Sequence, residues 1–324
     1  MKILIITVLI QLKVIKFLLK FFPQNINDSK YKIFRLPLII RITAIQELLF
    51  DKSNLKFNIL YDVKRKKCYS EISDGIFLSN QGTNRYIKQK ANIITAELFV
   101  KKILDLKKDY IVDVGSAFGE YSIFFAKKFP NKKIISIEPS KTNLIIQQDN
   151  INKNNVKNII LVNTIISNSN EKKYISEKYY SENIATNKNF DSSSEIGSEK
   201  LYNFIERYNA INSLGFLKIN IPTLPDLEFD LIYLNKNNKL NLCFINFWAN
   251  SFDKFENILK NLCANSNQYF ASLSSEILIQ TDYDDIKKKL LEKSILSLSS
   301  KCKNFKYPYN DVALEVLFEF NNNL

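Results

Sequence analysis

Residues 109–140, DYIVDVGSAFGEYSIFFAKKFPNKKIISIEPS, constrain the fold more than any other part of this chain. IVDVG is a short apolar run closed by glycine, the pattern of a strand buried on both faces. Tyr121, Phe124, Phe125, Lys128 and Phe129 then recur at helical spacing, and Pro130-Asn131 stops the helix. A second apolar run, IISIE, ends on Glu138 with Pro139 behind it. Strand, glycine turn, helix and strand in that order predict a βαβ unit with parallel strands. Its glycines lie where such a sheet receives a ligand, at the carboxyl ends of the strands.

Gly115 and Gly119 flank a segment in which a side chain would hold a ligand off the backbone, and the helix that follows directs its positive end there. Glu138 closes the neighbouring strand, where a carboxylate can accept both hydroxyls of a ribose. The spacing is G-x-x-x-G with an Asp two residues ahead, not the dinucleotide pattern G-x-G-x-x-G, and this favours S-adenosylmethionine over NAD. Asp113, Gly115, Ser116, Gly119, Glu138 and Pro139 are the candidate cofactor residues. The bland alternative is a turn that needs its glycines only for its own geometry.

VDVGSAFGEYS, SIEPS, the QQDNINKNN helix end and the KNIILVNTIIS strand together resemble the FkbM-type class I methyltransferases over about residues 95–170. The resemblance implies a Rossmann-like α/β fold with a seven-stranded, mostly parallel sheet whose last two strands form an antiparallel edge pair. It also implies methyl transfer from S-adenosylmethionine to a hydroxyl of a carbohydrate or glycolipid precursor. Ser116 and Ala117 stand where the family has Ala-Asn. The family's KIDVEG junction, preceded by a T-L-D segment that matches IPTLPDL, falls on the strand ending FINFWA; this puts Asn246, Trp248 and Ala249 in place of Asp, Glu and Gly. A competing placement uses FLKIN and ends on Asn220. The first is preferred because a helix and then a strand follow it, which makes Asn246 the candidate catalytic residue. An asparagine can orient a hydroxyl but is no base at neutral pH. Asp253 and Glu256 are the nearest carboxylates in sequence.

The remaining chain supplies context. Its 324 residues, 46% of them hydrophobic, suffice for one α/β domain with an N-terminal extension, and the expected division is 1–84 and 85–324. There is no histidine, which excludes His-based triads and a histidine base. The four cysteines are scattered without metal spacing and read as reduced thiols of a cytoplasmic protein, with no metal expected. Residues 1–22, MKILIITVLIQLKVIKFLLKFF, carry Lys2, Lys13, Lys16 and Lys20 on one narrow stripe of a helix. This suits a helix lying on a membrane surface; a core helix and an uncleaved signal anchor are the alternatives.

Fourteen Lys and Arg against four acids fall within residues 1–67, most of the chain's net +13. That charge suits anionic lipid or a phosphate-bearing substrate, whereas the aromatic-interleaved signatures of nucleic-acid binders are missing. Residues 55–90 read as two or three short antiparallel strands, which the family resemblance implies would cover the cofactor or shape the acceptor pocket. Residues 167–200 read as a polar insertion and a candidate lid, with Tyr174, Tyr179 and Tyr180 as possible ring-stacking groups. Two other function classes stay open: a degenerate methyltransferase fold serving as a membrane-associated interaction module, and a nucleic-acid methyltransferase.

Overall fold

The apolar runs read from the sequence become the middle of one sheet in the computed structural model, which describes residues 58–62, 67–73, 75–79, 100–104, 106, 108–176, 185–186, 193–221, 224–237, 239–248, 252–272, 278–299 and 313–320. The N-terminal 1–22 stretch, Tyr179, Tyr180 and the boundary near residue 85 lie outside the described residues, as do the side chains of Trp248 and Asp253. In chain order the strands are β1 Asn58–Asp62, β2 Lys67–Ser73, β3 Ile76–Ser79, β4 Tyr110–Val114, β5 Lys133–Ile137, β6 Ile159–Val162, β7 Ile165–Ile166, β8 Lys172–Ser176, β9 Ala185–Thr186, β10 Ser193–Glu199, β11 Leu214–Ile219, β12 Leu242–Trp248, β13 Gln268–Ala271, β14 Ile279–Gln280 and β15 Ala313–Glu319. The helices are α1 Val100–Leu104, α2 Glu120–Lys128, α3 Lys141–Asn154, α4 Leu201–Arg207, α5 Glu228–Lys236, α6 Phe252–Asn265 and α7 Tyr283–Ser299.

The central sheet runs β14-β13-β15-β12-β11-β4-β5-β6. Pairing is parallel from β12 across to β6, and β15 enters antiparallel between β12 and β13. This is the class I methyltransferase-like α/β arrangement. Eight strands are present among the described residues where seven were expected; the extra one is the two-residue edge strand β14. From β4 the chain steps outward through β5 to β6 and later returns to β11 on the opposite side of β4. The switch point, where such sheets open a crevice, therefore lies between β4 and β11.

Alternation along the strands builds two cores. Val112, Val114, Ile135, Ile137, Leu217 and Ile219 face α4, α5 and α6, while Ile111, Phe216 and Phe244 pack with Tyr121, Phe124 and Phe125 of α2. Edge-to-face packing of Phe125 on Phe216, at 5.2 Å between centroids, fixes α2 against the sheet.

Over its described parts the polar insertion carries strands that were not read from the sequence: β8, β9 and β10 join β7 in a second, four-stranded sheet, with Ile165, Ile175 and Ile196 as its own small core. Polar composition concealed the strands because so few apolar positions suffice for so small a core. The β1–β3 sheet, expected over the cofactor side, docks instead on the far ends of α2 and α3. Lys127 Nζ donates to the Gly75 carbonyl at 2.6 Å and Tyr69 Oη to Asp149 at 2.7 Å. Asn154 acts as a strand would: its Oδ1 accepts from Phe77 N at 2.8 Å and its Nδ2 donates to Phe77 O at 2.6 Å. The asparagine-rich end of α3 is thus a docking device for β3.

Candidate functional site

The glycine turn sits at the carboxyl end of β4 because both glycines hold backbone angles that other residues avoid, φ +74° at Gly115 and +83° at Gly119. Their missing side chains make room for protein. A Cβ on Gly115 would collide with the Asn220 carbonyl oxygen and lie 2.8 Å from Ile221 Cγ2, and one on Gly119 would lie 2.7 Å from Gln147 Cγ. The expectation that these two positions are bare for a ligand is corrected accordingly. Close packing of the β11 terminus and of α3 fills the space.

Beneath the turn runs a buried polar network. Register puts Ser136, Asp113, Lys218 and Phe244 in one row across β5, β4, β11 and β12. Asp113 pairs with Lys218 Nζ at 2.8 Å, the two side chains being 0% and 2% exposed, and its Oδ2 accepts from Ser122 at 2.7 Å. Lys218 Nζ also donates to the Gly115 carbonyl at 3.1 Å and lies 5.0 Å from the centre of the Tyr121 ring. Ser122 meets Ser136 at 2.7 Å, Ser136 accepts from Gln147 Nε2, and Ser116 Oγ donates to Gln147 Oε1 at 3.2 Å. Asn150 Nδ2 holds the Phe118 carbonyl at 3.0 Å. Asp113 and Ser116, expected against the cofactor, therefore turn inward: they hold the loop, and their side chains face other protein groups.

Glu138 is buried as well and bonded to the turn itself. Leaving β5, it folds back under the turn, where Oε2 accepts from Ala117 N at 2.9 Å while Oε1 accepts from Ser140 N and Asn143 Nδ2, both at 3.0 Å. Burial pushes its carboxyl up to about 7, against the lowering effect of those three donors and of Lys218. Pro139 carries the chain into α3, its carbonyl accepting from Asn163 at 2.8 Å. Ser140 caps that helix by accepting from Asn143 N.

At the carboxyl end of the sheet the junction that touches the turn belongs to β11, since β11 pairs with β4 and Asn220 N donates to Val114 O at 2.9 Å. Asn246 lies one strand farther out, at the same level, because Ile245 pairs with Ile219. Periodicity cannot separate the two placements, because a helix follows each strand. Asn246 is 1% exposed, and neither amide atom has a partner among the described residues. Across from it stands Glu315 of β15, a carboxylate that an antiparallel strand brings to this edge. Glu256 is engaged elsewhere, bonded to Lys287 at 2.6 Å. Lys218, Asn143, Gln147 and Glu315 were missed in the sequence; only the lysine in FLKIN, a charge inside an apolar strand, carries a visible signal. Cys243 and Cys263 are free and buried, with thiols raised by burial. No group of metal-ligating residues occurs among the described residues.

No family model and no curated protein matches the chain. Solved structures do. The METTL16 MTase domain is 9% identical, with a TM-score of 0.43, covering 82% of this chain and 87% of that one. Precorrin-6y C5,15-methyltransferase from Geobacter metallireducens GS-15 is 11% identical with a TM-score of 0.34, covering 69% and 86%. The plantazolicin methyltransferase BpumL in complex with SAH is 14% identical with a TM-score of 0.34, covering 72% and 84%.

Proposed function

We propose that the chain is an S-adenosylmethionine-dependent O-methyltransferase of the FkbM type, acting on a hydroxyl of a carbohydrate or glycolipid precursor. The observation that carries this reading is the seat of Glu138: a carboxylate tied to the backbone of the glycine turn, beside the switch point of a mainly parallel sheet. Its three accepted hydrogen bonds leave room for about one more, so Glu138 takes one ribose hydroxyl where the sequence alone suggested two. The Ala117–Phe118 backbone and the N-terminal end of α2 line the same edge. When bound, S-adenosylmethionine supplies a methyl group on a positively charged sulfur.

The chain's own work is positional. The Lys218–Asp113 pair and Gln147 hold the turn rigid, so that alignment is set before the acceptor arrives. Asn246, with both amide atoms unmet, orients the acceptor hydroxyl, and Glu315 across the strand pair is a carboxylate able to take its proton. The basic 1–67 portion carries the chain to an anionic membrane surface; among the described residues no helix is long and apolar enough to cross a membrane.

The test is tritiated methyl transfer from S-adenosylmethionine into fractionated extract. Label in glycan or lipid fractions supports the reading. Label confined to RNA would replace it with the nucleic-acid alternative, and cofactor binding without any label would favour the interaction module.

A further inference from the structure

Resting on that reading, the geometry around Glu138 raises a question about the second ribose hydroxyl. A carboxylate offers about four acceptor positions. Glu138 Oε1 is used twice, by Ser140 N and Asn143 Nδ2, and Oε2 once, by Ala117 N, so one position on Oε2 is left. A vicinal diol needs another group.

Asn143 supplies it. Its side chain is buried, 2% exposed, and its amide nitrogen donates to Glu138 Oε1, the orientation that an ionised Glu138, which only accepts, requires. Oδ1 is thereby turned away from Glu138 and has no partner among the described residues. Buried acceptors are rarely left unmet without a reason. Asn241, which precedes β12 at the opposite end of the strands, Thr281, which follows β14, and Asn246 also have side-chain atoms without a hydrogen bond among the described residues. Asn143 is the one bonded to Glu138. Its backbone is held as well, since Asn143 N donates to the Ser140 cap at 3.3 Å, so the amide is set in place before any ligand arrives.

We propose that Asn143 is the second half of a vicinal-diol site, its Oδ1 accepting one ribose hydroxyl of the cofactor while Glu138 Oε2 accepts the other.

The test is calorimetric titration of the full chain and of Asn143→Leu with S-adenosylhomocysteine and with its 2′-deoxy and 3′-deoxy counterparts. The wild type should lose roughly three- to tenfold in affinity for each deoxy ligand, the worth of one hydrogen bond. Asn143→Leu should lose a similar factor for S-adenosylhomocysteine, lose nothing further for one deoxy ligand, and still discriminate against the other. Equal weakening of all three ligands would assign Asn143 a merely structural role and overturn the proposal. So would a wild type indifferent to one of the two hydroxyls, an outcome readable even if the variant does not fold. A wild type that binds none of the three would overturn the cofactor reading itself, and the proposal with it.

Discussion

Replacing Lys218 by methionine removes one ammonium and little volume, and the consequences can be worked from its partners. The ammonium holds Asp113 at 2.8 Å and the Gly115 carbonyl at 3.1 Å, with both side chains shut off from solvent. Without it Asp113 keeps only the Ser122 hydroxyl. Breaking one side of a buried pair costs about 3–5 kcal/mol, because the surviving charge has no compensation. In a thermal scan that is a fall of at least about 5 °C. Adding Asp113→Asn to Lys218→Met should recover more than half of the lost stability, since two neutral groups replace an unpaired charge. Urea or thermal unfolding of the four proteins gives the coupling directly, and a value above about 1 kcal/mol is expected. Additive single effects, or a Lys218→Met loss below about 1 kcal/mol, would refute the claim that this pair braces the turn.

Burial raises the Glu138 carboxyl from 4.5 to about 7, so the folded protein keeps a proton that the unfolded chain has released. That contribution is full below about pH 4.5 and lost as pH climbs through 7, a change of about 3 kcal/mol. Urea midpoints of wild type and Glu138→Gln measured from pH 5 to pH 8 should move apart in the variant's favour as pH rises; parallel curves would contradict this. Gly115→Ala should destabilise more than Gly119→Ala. At 115 the new methyl meets a backbone carbonyl that cannot move aside, whereas at 119 it meets a side chain, and thermal melts read the order. Asn154→Ala breaks both bonds to Phe77 and should expose β3 to faster amide exchange while leaving β4 and β5 protected.

The βαβ unit was legible because its signals are local: IVDVG and IISIE are apolar runs, and Gly115 and Gly119 punctuate the turn between them. The antiparallel pairing at the β15 end of the sheet came from the family resemblance and not from a local pattern. What escaped was set by partners distant in sequence. The choice between Asn220 and Asn246 depends on which strand pairs with β4, and no local pattern records pairing. Gly119 is a glycine because Gln147, on the next helix, occupies the space beside it. Tyr174, read as part of a polar loop, lies instead on β8, its hydroxyl donating to Glu195 at 3.3 Å across the second sheet.

The most direct measurement is a titration of the full chain with S-adenosylhomocysteine at pH 6 and pH 8. At about 0.3 kcal/mol per heavy atom, a ligand of about 26 such atoms reaches micromolar affinity. The account predicts one saturable site, bound more tightly at pH 8, where Glu138 is ionised and free to accept a hydroxyl. Absence of binding up to millimolar ligand at both pH values would contradict it.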